Sequence, residues 1–168
     1  VQEVKGMSRT LKEAIEMRTN VQLEAKMAIL AWIVEYSAVL YNLFHIGEDG
    51  MTPYQRVRGR PWRIELPECG ESVEFMKRTR HKFSSRWEQG IYLGVKTRTS
   101  EKIVGNEKGI FVVQSVRRKA EPDRWNGEMI KSLAGLPWQL NPETEDGTLE
   151  LPARMDIEPE LPAAPKEA

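Results

Sequence analysis

Across residues 1–18, Val4, Met7, Leu11, Ala14 and Ile15 recur at three- and four-residue spacing. Lys5, Arg9, Lys12 and Glu16 fall largely on the other side. This period predicts an amphipathic helix, ended by Thr19 and Asn20. No capping residue stands ahead of Val1, so the helix is expected to belong to a longer chain. Residues 26–45 predict a second helix. Met27, Leu30, Ile33, Val34, Ala38, Leu40, Tyr41 and Phe44 leave it little polar face, so it should be buried on several sides. The first helix is a thin partner for it. An orphaned apolar surface on 26–45 is therefore expected, and with it self-association. Trp32, Tyr36, Tyr41 and Phe44 sit at helical spacing and read as core rather than as a cofactor box.

Gly47, Glu48, Asp49 and Gly50 form a turn signal. Thr52 and Pro53 then supply a capping hydroxyl and a proline at the first helical position, so a short helix should run over 53–57 and end by Gly59. Pro61 and Pro67 mark an irregular linker. From residue 71 the pattern changes to short apolar runs: 72–77, with Val73, Phe75 and Lys77 on one side, then 90–95, 102–104 and 110–116. The last two are joined by a turn over 105–109, a hairpin signal. Tyr92 and Phe111 are expected to fill the interior. Four or five strands within about fifty residues suggest a small barrel. A brief helix is expected within 125–133.

The formal net charge is zero, yet the charge is unevenly spread. Residues 1–70 carry nine basic and nine acidic side chains; 71–119 carry twelve and five; 141–168 carry two and eight. The middle is thus suited to a polyanion and the tail is acidic. The tail also holds most of the six prolines from Pro137 onward and is expected to be disordered. The single cysteine, Cys69, excludes an internal disulfide and fits a reducing compartment. No signal-peptide pattern is visible. The longest apolar run, 27–34, is far too short to span a bilayer. His45 and His81 have no Cys or His at ligand spacing, which argues against zinc. The 105–109 turn lacks the Gly-Lys-Ser/Thr ending of a phosphate-binding loop.

Taken in order, four segments resemble the back end of a copia-type retrotransposon integrase, in a variant similar to dinoflagellate copia-like elements. Residues 27–42 look like the long helix that follows the RNase H-like core. Thr52, Pro53, Tyr54 and Gln55 look like its Thr-Pro-Tyr-Glu element. Gly59, Arg60 and Pro61 look like its Gly-Lys-x-Pro turn, and Ile91, Tyr92, Leu93 and Gly94 like its Phe-Leu-Gly barrel strand. The resemblance covers roughly residues 1–135. It implies an α+β chain: a helical remnant of the core over 1–60, a linker over 61–70, a basic SH3-like barrel with a short terminal helix over 71–135, and the acidic tail over 136–168.

The family's Asn-Arg is Asn42 and Leu43 here, and the Glu of its Thr-Pro-Tyr element is Gln55. No Asn-Gly-x-x-Glu-Arg precedes Lys5, and Glu3 lacks those flanking residues, so it reads as a surface acid. Two-metal strand transfer needs several carboxylates converging on two cations. The only aspartates, Asp49, Asp123, Asp146 and Asp156, lie in expected turns or the tail. The chain alone is expected to be inactive and to hold no cofactor, whereas the intact parent enzyme would use Mg²⁺ or Mn²⁺.

What remains is binding. Lys77, Arg78, Arg80, Lys82 and Arg86, with His81 between them, cluster between two expected strands, and Phe83 and Trp87 are available to stack. Arg117, Arg118 and Lys119 close the last strand and either join that basic face or form a charged strand exit. The expected partners are DNA and the missing integrase core, the location intracellular, in nucleus or cytoplasm. Two other readings stay open: an SH3-like module that reads a peptide or histone tail through an aromatic pocket, and a decayed element without function.

Overall fold

The computed structural model describes residues 2–77 and 86–140. The segment 78–85 and the acidic stretch 141–168, on which the expectation of disorder falls, lie outside the described residues. The chain is α+β: α1 (Gln2–Thr19), α2 (Ala28–Phe44) and α3 (Pro53–Arg58) precede β1 (Ser72–Met76), β2 (Trp87–Val95), β3 (Lys102–Asn106), β4 (Gly109–Val113) and β5 (Val116–Arg118). A 3-10 turn (Glu121–Asp123) and a short α4 (Gly127–Lys131) follow. No helix among the described residues is long and apolar enough to cross a membrane.

Local chemistry sets the helix ends. Thr52 caps α3 by accepting a bond from Gln55 N–H at 3.1 Å, with Pro53 at the first helical position. Gly59, at φ 70°, closes it in the left-handed conformation that glycine adopts without cost. From within α3, the Arg56 guanidinium forks back onto Asp49, with Nε 2.8 Å from Oδ2 and Nη2 2.5 Å from Oδ1. That pairing holds the Asp49 carboxyl at about 2, well below the usual range. The expected linker is a packed segment. Trp62 is buried against Leu43 and Val95, meets Tyr54 edge-on at 5.4 Å and donates its indole N–H to Ile64 O at 2.7 Å.

All strand pairs are antiparallel and the order is β4-β3-β2-β1-β5. A flat sheet of this order would place β5 about 19 Å from β4, four steps of about 4.8 Å. Only Gln114 and Ser115 join the two strands, and three Cα steps reach about 11 Å at most. The sheet must therefore curl. A register shift between Tyr92 and Gly94 in β2 gives the local bend. Gly90 gives the room, since a Cβ there would lie 3.0 Å from both Gly105 O and Phe75 Cε1. No ladder pairs β4 with β5, so the sheet is curled and open. The β3–β4 turn is shorter than its glycines suggest: Glu107 and Lys108 alone form it, and Gly105 lies within β3. The expected 110–116 strand is likewise broken into β4 and β5.

The orphaned apolar surface expected on 26–45 is largely covered, and the partner is the sheet itself. Ile29, Trp32, Ile33 and Tyr36 of α2 share one core with Ile15 of α1, with Val73, Phe75, Tyr92 and Leu93 of the sheet, and with Ile130 and Leu133 after it. Val34 and Phe44 are the large apolar side chains that α2 leaves exposed. Tyr36 meets Tyr92 edge-on at 6.0 Å and donates its hydroxyl to Pro67 O at 3.2 Å. Trp32 donates its indole N–H to Gly135 O at 3.1 Å. Burial raises the Tyr36 and Tyr92 hydroxyls above their ordinary values and pushes the Cys69 thiol up to about 12, which keeps it a neutral core group. Residues 136–140, assigned by sequence to the tail, turn back on the sheet: Leu136 bridges Gln139, and Ile110 N–H donates to Leu140 O at 3.1 Å.

Candidate nucleic-acid interface

The antiparallel pairing of β1 with β2 ends at Met76 opposite Trp87. Just beyond it, Lys77 N–H donates to Arg86 O at 2.8 Å. Lys77 and Arg86 thus stand side by side; Arg78, Arg80 and Lys82, which fall between them in the sequence with His81 and Phe83, lie outside the described residues. Period-two alternation puts Lys77 on the Phe75 side of the sheet. Its ammonium lies 5.2 Å from the Phe111 ring centre, and Phe111 stacks on Phe75 at 5.2 Å. Lys77, Arg86, Phe75, Phe111 and the outer part of β4 line a groove of about 820 Å³. Arg86 is exposed. This hairpin end thus offers cations beside the half-buried Phe111 ring, which is backed by the fully buried Phe75.

The second expected basic group does not act as one surface. Arg117 pairs with Glu74 in register, so it projects from the face opposite Lys77, and its guanidinium stacks 3.8 Å over the Trp87 ring. It extends the same end of the sheet on the other face. Arg118 has a different task. Its Nε and Nη2 bond the two oxygens of Glu71 at 2.8 and 2.9 Å, and Nη1 reaches Glu65 at 3.2 Å. Glu71 is fully buried, accepts a bond from Glu68 N–H at 3.1 Å and has Arg124 Nε 3.7 Å away. The Glu71 bond raises the Arg118 pKa further above its ordinary value. A guanidinium held this way compensates a buried charge. Lys119 points elsewhere, bonding Ser72 Oγ at 3.3 Å and Gln89 Oε1 at 3.0 Å. It lies in a separate groove of about 910 Å³ that also holds Glu74, Asp123, Glu128 and Lys131, a mixed charge lining.

One basic residue was missed by sequence reasoning. Lys108, in the two-residue β3–β4 turn, comes to the same end of the sheet as Lys77, since both approach Glu88, at 3.8 and 3.7 Å. Only strand register brings it there, and no local signal in the turn announces it. Cation and aromatic groups are therefore gathered at one end, from Lys77, Arg86 and Lys108 with Phe111, and on the other face from Arg117 with Trp87.

Groups that could bear other chemistry are dispersed. Glu3 has a side chain 60 % exposed and faces His45 Nδ1 at 3.7 Å. Among the described residues no three of His, Cys, Asp and Glu gather to hold a metal ion. Three tryptophans are placed apart rather than in one pocket: Trp62 is in the core, Trp125 lies under Arg18 at 4.6 Å, and Trp138 is 73 % exposed. No protein-family model, curated protein or solved structure matches the chain.

Proposed function

We propose that the chain is a non-catalytic, DNA-binding part of a copia-type retrotransposon integrase, which helps hold DNA and the assembly while the element's DNA is integrated. The observation that carries this is the β1–β2 hairpin end. There Lys77 and Arg86 are joined through their backbones and Lys77 lies beside the Phe111 ring, while the sequence puts Arg78, Arg80 and Lys82 between those two residues. Cations next to a part-exposed aromatic ring suit a phosphate backbone and its bases. The curled five-strand sheet, with two residues joining its edge strands, supports the reading of an SH3-like barrel left unclosed. In this reading catalysis, and its Mg²⁺ or Mn²⁺, belong to an integrase core outside this sequence, and the chain works in the nucleus or cytoplasm.

A second reading draws on the same groove. Phe111 is half-buried there, stacked on the buried Phe75 at an interplanar angle of 28°, and the outer edge of β4 lies alongside. Such a site suits an extended peptide in a protein-interaction module.

Salt separates the two. Binding of the full chain to a short labelled DNA duplex is expected to weaken at least tenfold between about 50 and 200 mM salt. It should be largely lost when Lys77, Arg78, Arg80 and Lys82 are all replaced by alanine. Absence of binding at the lower salt overturns the DNA reading and leaves the peptide reading in place.

A further inference from the structure

Glu88 lies in β2 opposite Phe75, one register step inside the hairpin end. Its Oε1 is 3.7 Å from Lys77 Nζ and 3.8 Å from Lys108 Nζ. Ammonium groups from two separate turns thus converge on one carboxylate oxygen, and they can be no more than about 7.5 Å apart. Both distances exceed a charge-assisted hydrogen bond of about 2.8 Å, so Oε1 satisfies neither lysine fully. The other oxygen, Oε2, is buried with no hydrogen-bond partner, an arrangement that costs free energy. The two lysine side chains remain 41 % and 59 % exposed, open to an anion from solvent.

We infer that Lys77 and Lys108 form a two-lysine phosphate site in which the Glu88 carboxylate is a resident competitor. This inference rests on the DNA reading proposed above and assigns Glu88 the role of weakening it. A backbone phosphate offers several acceptor oxygens and can bond both ammonium groups at normal length, which a single carboxylate oxygen at 3.7 and 3.8 Å does not. The negative charge of Glu88 opposes that phosphate directly and holds both lysines in its stead. Lys77 also lies 5.2 Å from the Phe111 ring centre, which puts the site beside that ring.

The test is the isosteric Glu88→Gln substitution in the full chain, read by duplex-DNA binding over a salt series. The variant is expected to bind roughly three- to tenfold tighter at about 50 mM salt, with a log–log salt slope steeper by about 0.9 for each phosphate gained. Adding Lys77→Gln and Lys108→Gln to Glu88→Gln should erase the gain, while the thermal melt reports that each variant is folded. If wild-type and Glu88→Gln bind alike, the inference is overturned and the DNA reading stands. A gain that survives loss of both lysines also overturns it, since the effect would then be general charge. If neither protein binds at the lower salt, the DNA reading falls and the inference with it.

Discussion

Replacing Trp32 with alanine is expected to destabilise the whole molecule by about 3–5 kcal/mol, with helices and sheet lost in one transition. Trp32 is 2 % exposed and belongs to the core shared by α1, α2, the sheet and α4. Its removal opens a large cavity in that core. It also takes away the donor to Gly135 O, which ties the chain after α4 to α2. A loss of this size is a large part of the 5–15 kcal/mol that typical domains possess. Urea unfolding followed separately by near-UV and far-UV circular dichroism measures it. Coincident transitions shifted to lower urea are expected. A sheet transition left in place while helical signal is lost would show that the helices and sheet are separately stable.

Arg118→Ala is expected to cost about 2–4 kcal/mol, far more than removal of an ordinary surface charge, because it strands the buried Glu71 carboxylate. The lower end of that range reflects Arg124, 3.7 Å from the same carboxylate, and the 31 % exposure of the Arg118 side chain. Arg118→Lys keeps the charge but loses the two-pronged bond and should fall between wild type and alanine. Replacing Glu71 and Arg118 together with methionine should be less harmful than Arg118→Ala, since no buried charge remains unpaired. Chemical denaturation of the four proteins checks this order. Equal stabilities for Arg118→Ala and a control such as Lys131→Ala would contradict the structural role assigned to Arg118.

Features governed by local spacing could be read from the sequence. The apolar stripe of α1, the nearly all-apolar α2 and the Thr52, Pro53, Gly59 frame of α3 each carry their own signal. The β-rich region is equally visible, down to the alternation that sets Lys77 with Phe75. Pairing across distance is what sequence leaves open. The covered face of α2 depends on a sheet that begins almost thirty residues after that helix ends. Nothing near Lys108 places it beside Glu88, and nothing near Glu71 marks it as a buried acid. Arg117 and Arg118 are the sharpest case. Period two puts them on opposite faces, but only the pairing of β5 with β1 decides which one meets Trp87 and which one meets Glu71. Two neighbours that look equivalent as charges thus have different physical tasks.

Where DNA touches this protein is the most direct question for the account. Titration of the isotope-labelled full chain with a short duplex at about 50 mM salt, followed by amide NMR shifts, answers it. The largest changes are expected at Lys77, Arg86 and Lys108 and around Trp87 and Arg117, with little change at Lys119, Glu128 and Lys131. Changes centred on that mixed-charge groove, or on the face around Phe44 and Trp62, would contradict the assignment of the hairpin end as the DNA interface.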